Sequence, residues 1–200
     1  MAAFLGLDVS TQGVKATLLS SKLEVLGEEA INFDADTSYG TKAGAHFGGG
    51  ESTGLQAEEG RVTSPVLMWA EGIDLVMSRL ADKFDLSSLV AVSGSGQQHG
   101  AVYWGDRAHD VLASLDWPER AGGDASSGRG LAEQLAPALA LHHSPIWMDT
   151  STSAEAAELE ASAGGPGPVS QATGSTATLR FTGVQIAKQF SPGGGLHPQQ

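Results

Sequence analysis

The chain is 200 residues long with 40% hydrophobic and 17% charged residues, enough for one domain with a real core. Its 11 basic residues stand against 23 acidic ones, and the formal charge of −12 repels a phosphate backbone, which argues against nucleic-acid binding. With no cysteine there is no disulfide framework, thiolate nucleophile or cysteine zinc site, and with no leader pattern or apolar run of bilayer length no membrane is expected and the protein reads as soluble and cytoplasmic.

The first informative stretch is residues 4–19, FLGLDVSTQGVKATLL. Phe4, Leu5, Leu7 and Val9 read as a buried strand, residues 10–13 as a tight polar turn and residues 14–19 as a returning strand. Gly13 is the residue able to take a positive φ there. The first strand delivers a carboxylate, Asp8, to the tip beside a turn of backbone N–H groups. Such a concavity of donors, next to a carboxylate able to hold a divalent cation directly or through water, suits the phosphates of a nucleotide. An ordinary hairpin carries the same pattern. Residues 23–33 continue as a third strand interrupted at Gly27, which completes an antiparallel meander, and the polar, glycine-rich residues 34–61 read as a long loop.

Ser64 reads as an N-cap with Pro65 at the first helical position, and Val66, Trp69, Ile73, Met77, Leu80 and Phe84 recur at helical spacing. This predicts one amphipathic helix ending near Phe84 and packed on the sheet. The apolar run at residues 89–95 is predicted as a buried strand that joins the same sheet after the helical crossover. It opens into GSGQQHGAVYW, where the third glycine and the helix of a dinucleotide fingerprint are both missing. A strand end delivering Gln97, Gln98 and His99 into a cleft ahead of a second strand at 101–104 fits better, although a structural role is the commoner fate of a lone histidine.

Residues 105–143 are mixed, with a helix near 131–141 and an exposed loop over 117–130. His142 and His143 are adjacent, point apart and lack a carboxylate at ligand spacing, so they read as surface residues. Residues 145–148 read as a short strand ending at Asp149, and Thr152 with Glu155 as a capping box opening a helix that runs out at Gly164 and Gly165. Arg180 stands just ahead of a helix beginning near Val184, either as a surface charge or as a donor fork for hydroxyls or phosphate; Lys188 has the same ambiguity.

Taken in order, DVSTQGVK, TSPVLMW, SGSGQQHGAVYW, WMDTST and RFTGVQIAK resemble the amino-terminal half of the FGGY carbohydrate kinases, over residues 4–188 and thinning across 105–143. Within that family the similarity is greatest to the eukaryotic branch acting on D-xylulose. The resemblance implies an α/β fold related to actin and ribonuclease H, with a mixed sheet that starts with three antiparallel strands and helices on its faces. It makes residues 1–190 an incomplete first domain and residues 191–200, rich in glycine and proline, a disordered tail.

The family implies ATP and Mg²⁺ as cofactors and a small sugar as partner. By resemblance Asp8 lies near the Mg²⁺ and the phosphates, an indirect contact to the metal, and Ser10, Thr11 and Gly13 form the phosphate-facing turn. Gln98 and His99 line the sugar site, Arg180 contacts the substrate, and Asp149 lies near the cleft. The implied reaction passes the γ-phosphoryl of ATP to the 5-hydroxyl of D-xylulose. The aspartate acting as base is expected beyond this chain, so the 200 residues alone are expected to be inactive. A kinase for ribulose, gluconate or glycerol, and a non-catalytic sugar-binding or regulatory module, are the alternative readings.

Overall fold

The alternation of apolar residues at the amino terminus builds a four-stranded sheet. Strands β1 (Ala3–Val9), β2 (Gly13–Ser20) and β3 (Val25–Asn32) form the expected antiparallel meander, and β6 (Leu89–Gly96) adds to β1 in parallel, in the order β3-β2-β1-β6. The computed structural model describes residues 2–50, 53, 55–116, 129–191 and 194–196. The chain divides into two units, Met1–Ala45 with Pro65–Gln97 and Trp104–His142, and His46–Ser64 with Gln98–Tyr103 and His143–Gln200.

In the first unit, Val14, Ala16 and Leu18 alternate inward along β2 and join Leu5, Ile31 and Phe33 under helix α2 (Val66–Lys83). The helix meets them with Met68, Gly72, Val76 and Leu80. The deepest line along the helix is therefore not the predicted one: Trp69 and Met77 flank the core and only half bury, because the helix lies where Gly72 can approach the sheet. A side chain at Gly72 would come within 2.7 Å of the Phe33 ring. Each large apolar side chain buried in this layer contributes about 1.5–3 kcal/mol. The start of the helix also differs. Ser64 lies in strand β5 (Val62–Pro65) and Pro65 takes the cap position, with no side-chain cap bond.

Several sequence expectations are corrected here. Phe33 leaves the third strand to open a one-turn helix α1 (Phe33–Asp36), and the predicted loop contains strand β4 (His46–Phe47), which pairs with β5. Strand β6 is an edge rather than a buried strand, with Val90 and Val92 more than half exposed. Its apolar run marks strand propensity and not burial. The predicted strand at 101–104 is absent, Trp104 forming a single bridge to Leu139. Within 105–143 lie α3 (Ala108–Ala113) and α4 (Leu131–Leu135), the latter running into a 3₁₀ turn at Ala136–Ala138. The expected exposed loop over 117–130 falls mostly, and the expected disordered tail mostly, outside the described residues.

The second unit holds a three-stranded sheet in the order β4-β5-β7, where β7 (His143–Pro145) replaces the strand expected at 145–148. His143 consequently stands in a strand, half-buried, with its ring 5.4 Å from that of His46, and only His142 is exposed. Helices α5 (Ser153–Ser162), α6 (Pro166–Thr173) and α7 (Thr182–Phe190) follow. The capping box at the start of α5 does not form, because the Thr152 hydroxyl donates instead to the carbonyl of Leu179. Among the described residues no helix is long and apolar enough to cross a membrane.

Gly27 explains the interruption of the third strand. The register between β2 and β3 shifts there, leaving Leu26 as the extra residue, and a Cβ on Gly27 would stand 2.2 Å from the Phe84 ring. We expect Gly27→Ala to cost about 1–3 kcal/mol through overpacking, read from the urea midpoint. The cost should shrink when Phe84 is already alanine; an equal cost in both backgrounds would assign the effect to the bulge and not to the ring.

Candidate functional site

The turn between β1 and β2 is closed by its own residues. The Ser10 amide and hydroxyl both donate to the Gly13 carbonyl, at 2.9 and 3.1 Å, so Ser10 spends both donors inside the turn. Gly13 has a negative φ, contrary to expectation. Glycine is needed there for a different reason: a Cβ would stand 1.9 Å from the Ile31 carbonyl oxygen on the neighbouring strand.

Asp8 sits opposite Lys15 on β2 and Ser95 on β6, and its Oδ1 accepts the Ser95 hydroxyl at 3.0 Å. The carboxylate is exposed over an open groove of about 330 Å³ that also includes Lys15, Thr17 and Ser93. The Thr11 hydroxyl reaches Gln97 Oε1 at 3.4 Å, while the Gln97 amide donates to the Val9 carbonyl at 2.9 Å. Gln97 therefore borders this turn. Among the described residues no group of three His, Cys, Asp or Glu side chains could hold a metal, so a cation beside Asp8 would need oxygens from a ligand or water.

Three residues to which the sequence alone gave no role in the site support the turn from behind. The Gln12 carbonyl accepts the Phe33 amide at 2.9 Å, and Gly44, at φ +73, lies so close that a Cβ would stand 1.8 Å from the Thr11 carbonyl oxygen. Asp34 holds that glycine in place, accepting the amides of Gly44 (2.9 Å) and Ala43 (2.6 Å) and the Thr41 hydroxyl (2.7 Å). What burial the carboxyl has pushes its pKa up, but these three donors outweigh it and leave the group below its ordinary range.

In the second unit Asp149 is buried, 2% exposed, and its carboxylate is fully engaged by neutral donors. Oδ2 accepts the Val62 amide at 2.8 Å, and Oδ1 accepts the Ser151 amide (3.0 Å), the Ser151 hydroxyl (2.7 Å) and Gln185 Nε2 (2.9 Å). Gln185 also donates to the Leu179 carbonyl at 3.3 Å, the same carbonyl that Thr152 holds. Asp149 thus ties the end of β7 to β5 and to the segment entering α7.

That segment carries Arg180, exposed and without a hydrogen bond or ion pair among the described residues, and then Phe181. Phe181 meets His99, with ring centroids 5.0 Å apart and planes at 34°. Of the residues expected around a sugar, His99 and the Arg180 segment are therefore brought together; Gln98 is exposed next to His99, and Asp149 lies behind the segment. Lys188 is no surface charge. Its Nζ donates at 2.6 Å to both Glu58 and the Ser151 carbonyl, and Glu58 also pairs with Arg61.

No family model matches the chain. It is 44% identical to xylulose kinase 2 of Arabidopsis thaliana over 196 residues, 97% of this chain and 32% of that protein. It is 42% identical to the xylulose kinase of Mus musculus over 188 residues, 93% of this chain and 31% of that one. The chain thus spans about a third of the length of the curated relatives it matches. Among solved structures, a xyloylose kinase from Brucella ovis shares the fold with a TM-score of 0.57 at 21% identity, over 92% of this chain and 28% of that one. A Plasmodium falciparum glycerol kinase with ADP does so at 0.53 and 15%, over 95% and 29%. The resemblance to FGGY carbohydrate kinases is borne out, as is the mixed α/β fold of the actin-like sugar kinases.

Removing the Asp149 carboxylate takes the acceptor from four buried or half-buried donors on three residues at once, so Asp149→Ala should destabilise the second unit by about 3 kcal/mol or more. Hydrogen exchange should accelerate at Val62, Ser151 and residues 179–185 while β1 to β3 keep their protection; uniform acceleration would contradict this.

Burial pushes the Glu58 carboxyl up, but the bonds from Lys188 and Arg61 prevail and hold it below the ordinary 4.5. A carboxyl lowered in the folded state adds stability that is complete above its unfolded pKa and is lost as pH falls through the folded value. The Tm gap between the unsubstituted chain and Glu58→Gln should therefore hold down to pH about 4.5 and close below it. A gap that stays constant to pH about 3 would show that the ion cluster is not its source.

Proposed function

We propose that this chain supplies the phosphate-facing turn and part of the sugar-facing wall of an ATP-dependent kinase that converts D-xylulose to D-xylulose 5-phosphate. The observation that carries the reading is the meeting of His99, from GQQHG, with the segment holding Arg180, in a chain 44% identical over 97% of its length to a curated xylulose kinase. A polyol requires neutral donors and acceptors with a charged fork, held on element ends that do not move, and Gln98, His99 and Arg180 offer these groups.

ATP and Mg²⁺ would supply the transferable phosphoryl group and neutralise its charge. Asp8 fits the metal as a single exposed carboxylate, oriented by the Ser95 hydroxyl and acting through water, and the turn carrying Thr11 and Gly13 fits the phosphates. Ser10 contributes by closing the turn. Asp149 is best read as a positioning residue behind the sugar wall. No residue of this chain is assigned the base that accepts the proton of the sugar hydroxyl. A sugar-binding module without turnover is the second reading.

The test replaces the matching 188 residues of the Mus musculus xylulose kinase with this sequence. The chimera should phosphorylate D-xylulose, whereas the 200-residue chain alone should show no xylulose-dependent ATP turnover. In the chimera, His99→Ala should raise the KM for xylulose about tenfold with the KM for ATP within about twofold. Asp8→Ala should instead lower kcat about a hundredfold or more with xylulose binding retained. A chimera that binds xylulose without turning it over would favour the module, and a KM for xylulose indifferent to His99→Ala would remove GQQHG from the sugar site.

A further inference from the structure

His99 is the one site residue whose backbone is strained. Its φ is 61, in the left-handed region that a side chain with a Cβ rarely enters, and such a conformation persists only where neighbouring groups dictate it. Among the described residues the imidazole makes no hydrogen bond, and neither ring nitrogen is a buried atom without a partner, so both nitrogens reach solvent. The ring is half-buried and rests on Phe181. Phe181 is itself fixed: its amide donates to the Thr178 carbonyl at 3.0 Å, its carbonyl accepts the Gln185 amide at 3.1 Å, and Gln185 is anchored on Asp149.

We infer that Phe181 is a positioning residue for substrate binding, holding the His99 imidazole by its face so that both nitrogens stay available to the hydroxyls of the sugar. A histidine oriented in the usual way, through a bond from one nitrogen to a carboxylate or carbonyl, has that nitrogen consumed and a single tautomer imposed. Held by ring contact alone, His99 can donate from one nitrogen and accept at the other, which matches the vicinal hydroxyls of a ketopentose. The inference rests on the reading of the chain as part of a xylulose kinase. It adds a residue that contacts no reacting atom but determines whether His99 meets the sugar in a fixed geometry.

The experiment is nuclear magnetic resonance on the 200-residue chain with ¹⁵N-labelled histidine. The unsubstituted chain should show nuclear Overhauser contacts between the His99 and Phe181 rings, a measurement that needs no variant, and their absence overturns the inference. Phe181→Leu keeps the bulk and removes the aromatic face. It should shift the His99 imidazole resonances and weaken D-xylulose binding about tenfold, while Phe181→Tyr should recover most of that loss. Unmoved His99 resonances in Phe181→Leu, or a Tyr variant as weak as Leu, overturn the positioning role. Ring contacts as expected, together with a chimera whose KM for xylulose ignores His99→Ala, would instead overturn the sugar reading, and the positioning role would fall with it.

Discussion

The second unit depends on one carboxylate taken out of water and surrounded by neutral donors. An isolated buried charge costs far more than any single hydrogen bond returns, so Asp149 can be buried only because the Val62 amide, Ser151 and Gln185 converge on it. The convergence is also what makes it an organising group. Three segments distant in sequence are obliged to keep fixed positions around two oxygen atoms, and the last of them continues, through Leu179, into Arg180 and Phe181. The segment proposed to face the sugar is thus placed by a group that lies behind it.

The first unit solves the same problem at the turn between β1 and β2 with less burial. Asp34 collects two amides and a hydroxyl, and the loop it closes presses Gly44 against the backbone of Thr11. Phe33, whose amide holds the Gln12 carbonyl, is also part of the core under α2. The turn is therefore coupled to the hydrophobic layer through one residue that serves both, and the pose of Asp8 at the end of β1 follows from sheet register and not from local turn preference.

Much of this was legible in the chain alone. Period-2 alternation over the first 33 residues specifies the meander, since only one register buries Val14, Ala16 and Leu18 together, and the helical recurrence from Val66 specifies the crossover. The order of the five motifs identified the kinase resemblance, and with it the residues at the ends of elements. Where local signals failed, a distant partner had displaced them. Thr152 was taken by Leu179 before it could cap its helix, Gly13 was needed for the approach of Ile31 and not for its own φ, and Ser10 turned its donors inward. The apolar run of β6 looked buried because propensity and burial share the same residues, but an edge position exposes them.

By itself, then, the sequence determined what periodicity and residue chemistry encode within one element: the strands, the long helix, and an acidic tip followed by GQQHG and RFTG. Only the tertiary structure decided which of those residues meet. Nothing near His99 in the chain indicates Phe181, and nothing near Asp149 indicates Val62 or Gln185, because each pairing depends on how separate segments pack once the backbone has satisfied its own hydrogen bonds. Contacts of that kind have no period and no local spacing, so they become readable when the chain is folded and not before.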